Sequence, residues 1–155
     1  MEESVARDIA RSCHRTQRTR HGSPMYAHVE RVAAAVEREL RCVALLHDVL
    51  ERSPLTGDEL VARGLSPDER SALLLLTRAP AENYTAHVHR IADGGGIAGR
   101  LARAVKLADL DDHLAVGDRR AGDPPYAWAR RVIRGAQRRH GDDAPSQDDH
   151  RVVAV

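Results

Sequence analysis

Apolar residues recur along the chain at intervals of three and four, and no stretch alternates apolar and polar residues over a useful length. That period puts one apolar stripe on each helix, so the pattern predicts an all-helical fold. A first helix is expected from Glu3 to about Arg18, stopped by the turn signal His21-Gly22-Ser23-Pro24. A second should run from about Met25 to Leu40 with Val29, Val32, Ala33 and Val36 on one face. A third, nearly continuous with it, should cover Arg41 to Glu51. Thr56 with Glu59, and Ser66 with Pro67 and Glu69, have capping-box spacing, in which a hydroxyl and a carboxylate satisfy N–H groups at a helix start. They predict two short helices, one closed by Gly64 and one running through Leu76. A helix from about Asn83 to Ala92 should end at Gly94-Gly95-Gly96, and another should carry Ala98 to about Val116. Pro124 and Pro125 should introduce a last helix ending near His140. Residues 1–140 therefore read as one domain, and 141–155, polar, acidic and Pro-containing, as a flexible tail.

Composition narrows the function. A chain of 155 residues, 42% hydrophobic and 30% charged, can bury one core without covalent staples. Cys13 and Cys42 lack C-x-x-C spacing, which suggests neither a disulfide framework nor a thiolate metal knot, and a reducing cytoplasm is the expected compartment. The acidic start has no long apolar run, and no segment approaches the roughly 18 apolar residues of a membrane span, so no membrane association is expected. A net charge of +1 argues against a large sequence-independent nucleic-acid surface. Arg130, Arg131, Arg134, Arg138 and Arg139 form a basic stripe that reads as a solvated helix face.

Four residues could bind one divalent metal: His28, the adjacent pair His47 and Asp48, and Asp109. Nitrogen and carboxylate ligands in this mix suit transition ions, manganese first, with iron, cobalt, nickel and zinc also fitting, better than calcium. Neighbours on a helix diverge by about 100°, so His47 and Asp48 share an ion only in the sector between their side chains. His47, Asp48 and Asp109 interrupt strongly apolar runs, "VALL" and "AVKLA", and an unpaired buried carboxylate is costly. This burial pattern speaks for a metal, with a capped helix end as the alternative. Glu51, four residues beyond His47, should project from the same helix face, where it could orient water or shuttle its proton. A solvent-facing helix-end glutamate would have the same sequence.

Four segments in order carry a resemblance: "GSPMYAHVERVA", "ALLHDVLERSPLT", "LTRAPAENYTAHVHRIA" and "VKLADLDDHL". The chain resembles the HD-domain superfamily of metal-dependent phosphohydrolases, and within it the small hydrolases of guanosine tetraphosphate (alarmone) metabolism. The resemblance covers about His14 to Arg120. It implies an all-α HD-domain bundle with a single metal in its core, held by His28, His47, Asp48, Asp109 and a water. It also implies a small phosphorylated substrate, a nucleotide, met by Arg18, Arg20 and Lys106, the chain's only lysine. Tyr26, Tyr84 and His113 complete the expected substrate pocket.

Three positions depart from the family pattern. Arg52 stands where the alarmone hydrolases have an Asp after Glu51, His113 where they have Asn, and Met25 where they have Tyr, with Tyr26 one position later. Glu51 and Arg52 are the expected catalytic residues. The altered substrate shell favours release of phosphate from a nucleoside monophosphate or related phosphoester. Hydrolysis of the alarmone 3'-pyrophosphate, a two-iron oxygenase drawing on His87 or His89, and a non-catalytic nucleotide-binding module remain alternatives.

Overall fold

The computed structural model describes residues 1–116 and 126–142. Helices form wherever the apolar stripe is long enough to bury. α1 (Glu3–Cys13) sinks Ala6 and Ala10, and α2 (Met25–Ala34) sinks Val29, Val32 and Ala33. α3 (Arg41–Leu46) is buried from Cys42 to Leu46. α4 (Val49–Arg52), α5 (Gly57–Ala62) and α6 (Pro67–Leu76) follow, then α7 (Tyr84–Asp93), α8 (Gly96–Ala115) and α9 (Tyr126–His140). Among the described residues there is no strand, only an isolated antiparallel bridge between Arg18 and Pro24. None of their helices is long and apolar enough to cross a membrane.

α8 is the spine. It packs against α6, α9, α2, α7 and α3 and buries Leu101, Ala102, Val105, Ala108 and Leu110. Gly99 lets the chain pass there, because a Cβ at that position would lie 2.0 Å from the Gly94 carbonyl oxygen. Arg103, 1% exposed, ties the same corner together. Its guanidinium donates to the carbonyls of Ala92 and Gly94 and grips the Asp142 carboxylate at 2.6 and 3.1 Å. Asp142 is thereby fixed to the domain, while the remainder of the expected tail and Pro124-Pro125 lie outside the described residues.

Both capping boxes form: Thr56 accepts from the Glu59 N–H and Ser66 from that of Glu69, with the glutamates reaching back. Three expected helices are shorter than their apolar pattern. α1 stops at Cys13 because the chain turns to bury His14, whose Nδ1 meets Gln17 Oε1 at 2.9 Å, while Gln17 Nε2 donates to the Arg52 carbonyl. The freed segment closes on itself as a tight loop, with Thr19 N–H to Ser23 O and Met25 N–H to Gln17 O, and Gly22 takes φ +81° at its tip. The expected second helix ends at Ala34 and resumes as a single tight turn, Arg38–Leu40, because α3 packs alongside α2 and the chain must reverse between them. The expected third helix splits at His47-Asp48. The His47 Nδ1–H donates to Ala44 O at 2.7 Å, the carbonyl an unbroken helix would offer to the Asp48 N–H.

Candidate metal centre and cleft

The break between α3 and α4 aims His47 Nε2 into the space between α2 and α8. That nitrogen is buried and has no hydrogen-bond partner, although Asp48 Oδ2 lies 3.7 Å away and Asp109 Oδ1 3.8 Å away. Because Nδ1 carries the proton given to Ala44, neutral His47 offers only a lone pair here. A lone pair facing two carboxylates is repulsive unless a cation lies between them. His28 is arranged the same way: its Nδ1–H donates to Asp112 Oδ2 at 2.7 Å, and its Nε2 lies 3.3 Å from Asp109 Oδ1. Arg31 in turn clamps Asp112 with two bonds of 2.6 and 2.9 Å. This carboxylate-to-histidine relay fixes the ring with Nε2 pointed inward, as outer partners of metal-binding histidines do.

The spacing fits an ion. Ligand bonds of about 2.0–2.2 Å put neighbouring donors roughly 2.8–3.6 Å apart in octahedral or tetrahedral arrangements. The contacts of 3.3, 3.7 and 3.8 Å around His28, His47, Asp48 and Asp109 lie within or just beyond that range. Ligand atoms of His28, His47 and Asp48 all fall within 4.8 Å of one another, as do those of His28, Asp109 and His113. Burial opposes ionisation of Asp109, but Lys106 Nζ at 2.7 Å, with His113 and His28, holds its carboxyl well below the usual range. Burial likewise works against a charge on His28, yet Asp109 and Asp112 raise its pKa to about 9. The cluster calls for positive charge at its centre.

No family model matches the sequence, and no curated protein matches it. Among solved structures, one described as a metazoan ortholog of SpoT that hydrolyses ppGpp and plays a role in starvation responses is similar. It is 20% identical, with a TM-score of 0.64, over 90% of this chain and 95% of that one. The chain shares the all-helical fold of that structure.

The cluster lies in a cleft of about 330 Å³, within the lower part of the roughly 300–1,000 Å³ typical of small-molecule sites. Arg20, Glu51, Arg52, Tyr84, Lys106 and His113 all line it. Glu51 reaches it from α4 rather than from one continuous helix with His47, and its Oε2 accepts from the Arg78 N–H at 3.2 Å. Arg52 pairs with neither Glu51 nor Asp58. Its Nε lies 3.4 Å from Asp48 Oδ2, and Asp58 is taken by Arg70. His113 Nε2 approaches Asp109 Oδ1 at 3.2 Å, and its ring stacks on Tyr126 at 4.7 Å. The Tyr84 hydroxyl is buried without a partner, beside Lys106 and Asp109.

Two expected pocket residues fall elsewhere. Arg18 turns back to the Gly22 carbonyl at 3.3 Å and is not part of the cleft lining, whereas Arg20 is. Tyr26 points to the α1 side, where it bonds Glu30 and lies under Arg11, and Met25 forms the wall instead. One step along a helix turns a side chain by about 100°, enough to move it from cleft to flank.

Sequence reasoning overlooked Asp112, Arg31, Arg78 and the true role of His87. Asp112 follows Asp109 by three and Arg31 follows His28 by three, so helix-face spacing offered a signal for both. His87 lines the cleft, and its Nδ1 meets Arg90, always a donor, at 3.0 Å. The neutral ring therefore carries its proton on Nε2. His89 is exposed and packs against Trp128 at 5.8 Å, so the two histidines occupy different sides of α7 and neither joins a metal-capable group among the described residues.

Proposed function

We propose that this protein is a metal-dependent phosphohydrolase that removes phosphate from a nucleoside monophosphate or related small phosphoester. The observation that carries the reading is the unpartnered His47 Nε2, buried and facing Asp48 and Asp109, with His28 Nε2 converging on the same carboxylate. His28, His47, Asp48 and Asp109 would hold the ion. A divalent cation there would supply Lewis acidity, activating water at neutral pH and polarising a phosphoryl oxygen.

The surrounding residues complete the chemistry. Arg20, Arg52 and Arg78 line the cleft and suit a phosphate dianion, and a guanidinium can give it two parallel hydrogen bonds. The buried Tyr84 hydroxyl adds a neutral donor. Glu51 is assigned to take the proton of the attacking water as its oxygen bonds to phosphorus. The ester P–O bond then breaks, and the leaving alkoxide takes up the proton held on Glu51. Lys106, paired with Asp109, keeps that carboxylate ionised.

A second reading, hydrolysis of the alarmone 3'-pyrophosphate, is supported by what the similar structure is described as doing. The test measures orthophosphate and pyrophosphate released from nucleoside monophosphates and guanosine tetraphosphate by metal-loaded wild type and Arg52→Asp. The proposal expects orthophosphate from monophosphates, reduced roughly 10²-fold or more in the variant, as when a charge-stabilising donor is lost. Pyrophosphate release that rises in Arg52→Asp would favour the alarmone reading. Nucleotide binding without any product would make the chain a binding module.

A further inference from the structure

We propose that His113 is a fifth protein ligand of the ion, giving three imidazoles and two carboxylates, and that it shifts metal preference from manganese toward cobalt, nickel, iron or zinc. This rests on the metal reading above and deepens it.

Three ring nitrogens converge on one oxygen: His113, His28 and His47 Nε2 lie 3.2, 3.3 and 3.8 Å from Asp109 Oδ1. If these were only hydrogen bonds, each Nε2 would need a proton. His28 and His47 already give their Nδ1 protons to Asp112 and Ala44, which leaves each Nε2 a lone pair in the neutral ring. Their ring centroids lie 5.3 Å apart, and that of His113 is 5.0 Å from His28. A single divalent ion beside Asp109 would accept all three nitrogens as lone pairs.

The backbone and a neighbour both hold His113 in place. It follows Asp109 by four on α8, which puts the two side chains on one face a turn apart. The Tyr126 ring, stacked at 4.7 Å and 9°, limits the imidazole to a plane from which Nε2 reaches the centre. The asparagine expected here from the family pattern has no ring nitrogen to offer. Imidazole favours later transition ions, while carboxylate and water suit manganese, so a third imidazole tilts the balance.

The experiment strips the metal and titrates wild type, His113→Asn, His113→Gln and His47→Ala with Mn²⁺, Co²⁺ and Ni²⁺ against a competing chelator. It also records the visible spectrum of the Co²⁺ forms and the metal-free melting temperature. Losing even an outer partner of a metal ligand costs about 10–100-fold in affinity, so both His113 variants should lose at least about tenfold for Co²⁺ and Ni²⁺ and less for Mn²⁺. Their cobalt bands should move, with the metal-free melting temperature retained in at least one of them. Unchanged affinity ratios and an unchanged cobalt spectrum would overturn the inference and leave His113 a hydrogen-bond partner of Asp109. Wild type binding Co²⁺ no better than His47→Ala would overturn the metal centre itself, and two ions per chain would overturn the single shared donor set.

Discussion

His87 is neutral because burial strips water from its ring and the Lys106 ammonium opposes another positive charge, which together lower its pKa to about 4. Neutral, and accepting from Arg90, it presents Nε2–H as a donor in the cleft wall. In the unfolded chain the same ring protonates near its ordinary 6.5. Between those values the unfolded state holds more protons than the folded one, so stability present above pH 6.5 is lost as pH falls toward 4. His87→Asn removes this contribution. Urea unfolding of metal-free protein at steps from pH 6.5 to 4 should give a flatter dependence for the variant, and parallel curves would contradict the assignment. At this scale, the residues that interrupt apolar runs were legible in part: His47 and Asp109 are buried where the runs predict, while Asp48 is half-buried. The direction of a side chain at a helix start was not. Tyr26 and Met25 exchange cleft and flank, and Arg18 turns away from the cleft that Arg20 lines, through local turns that residue type does not encode.

Elements with their own chemical stop and start signals formed where the sequence put them. The capping boxes of α5 and α6 and the Asn83 cap of α7 are local, satisfied by residues three apart. The breaks at Cys13, Ala34 and Leu46 depend on distant partners: Gln17 bonding Arg52, α2 reversing onto α3, and His47 taking a carbonyl so that Nε2 can face α8. Arg103 is another long-range device, since its carboxylate partner lies 39 positions away. Its removal leaves Asp142, 7% exposed, and two carbonyls without their donor. Breaking a buried ion pair from one side costs about 3–5 kcal/mol, so Arg103→Ala should lower urea-measured stability by that order. A loss under about 1 kcal/mol would mean that Asp142 simply swings into water, as an exposed pair allows.

Across the whole molecule, α8 joins fold to site. One face carries the core through Leu101, Val105 and Leu110, and another carries Lys106, Asp109, Asp112 and His113 to the cleft. A net charge of only +1 conceals this local separation, in which carboxylates and imidazoles meet at the centre and Arg20, Arg52 and Arg78 lie along the wall. The account depends on an ion completing that arrangement. Elemental analysis after reconstitution and dialysis, on wild type, His47→Ala and Asp109→Ala, tests it most directly. Wild type should retain about one divalent transition ion per chain, and each variant little or none, because each loses a protein ligand. Wild type that retains no metal, or metal content undiminished in both variants, would contradict the account.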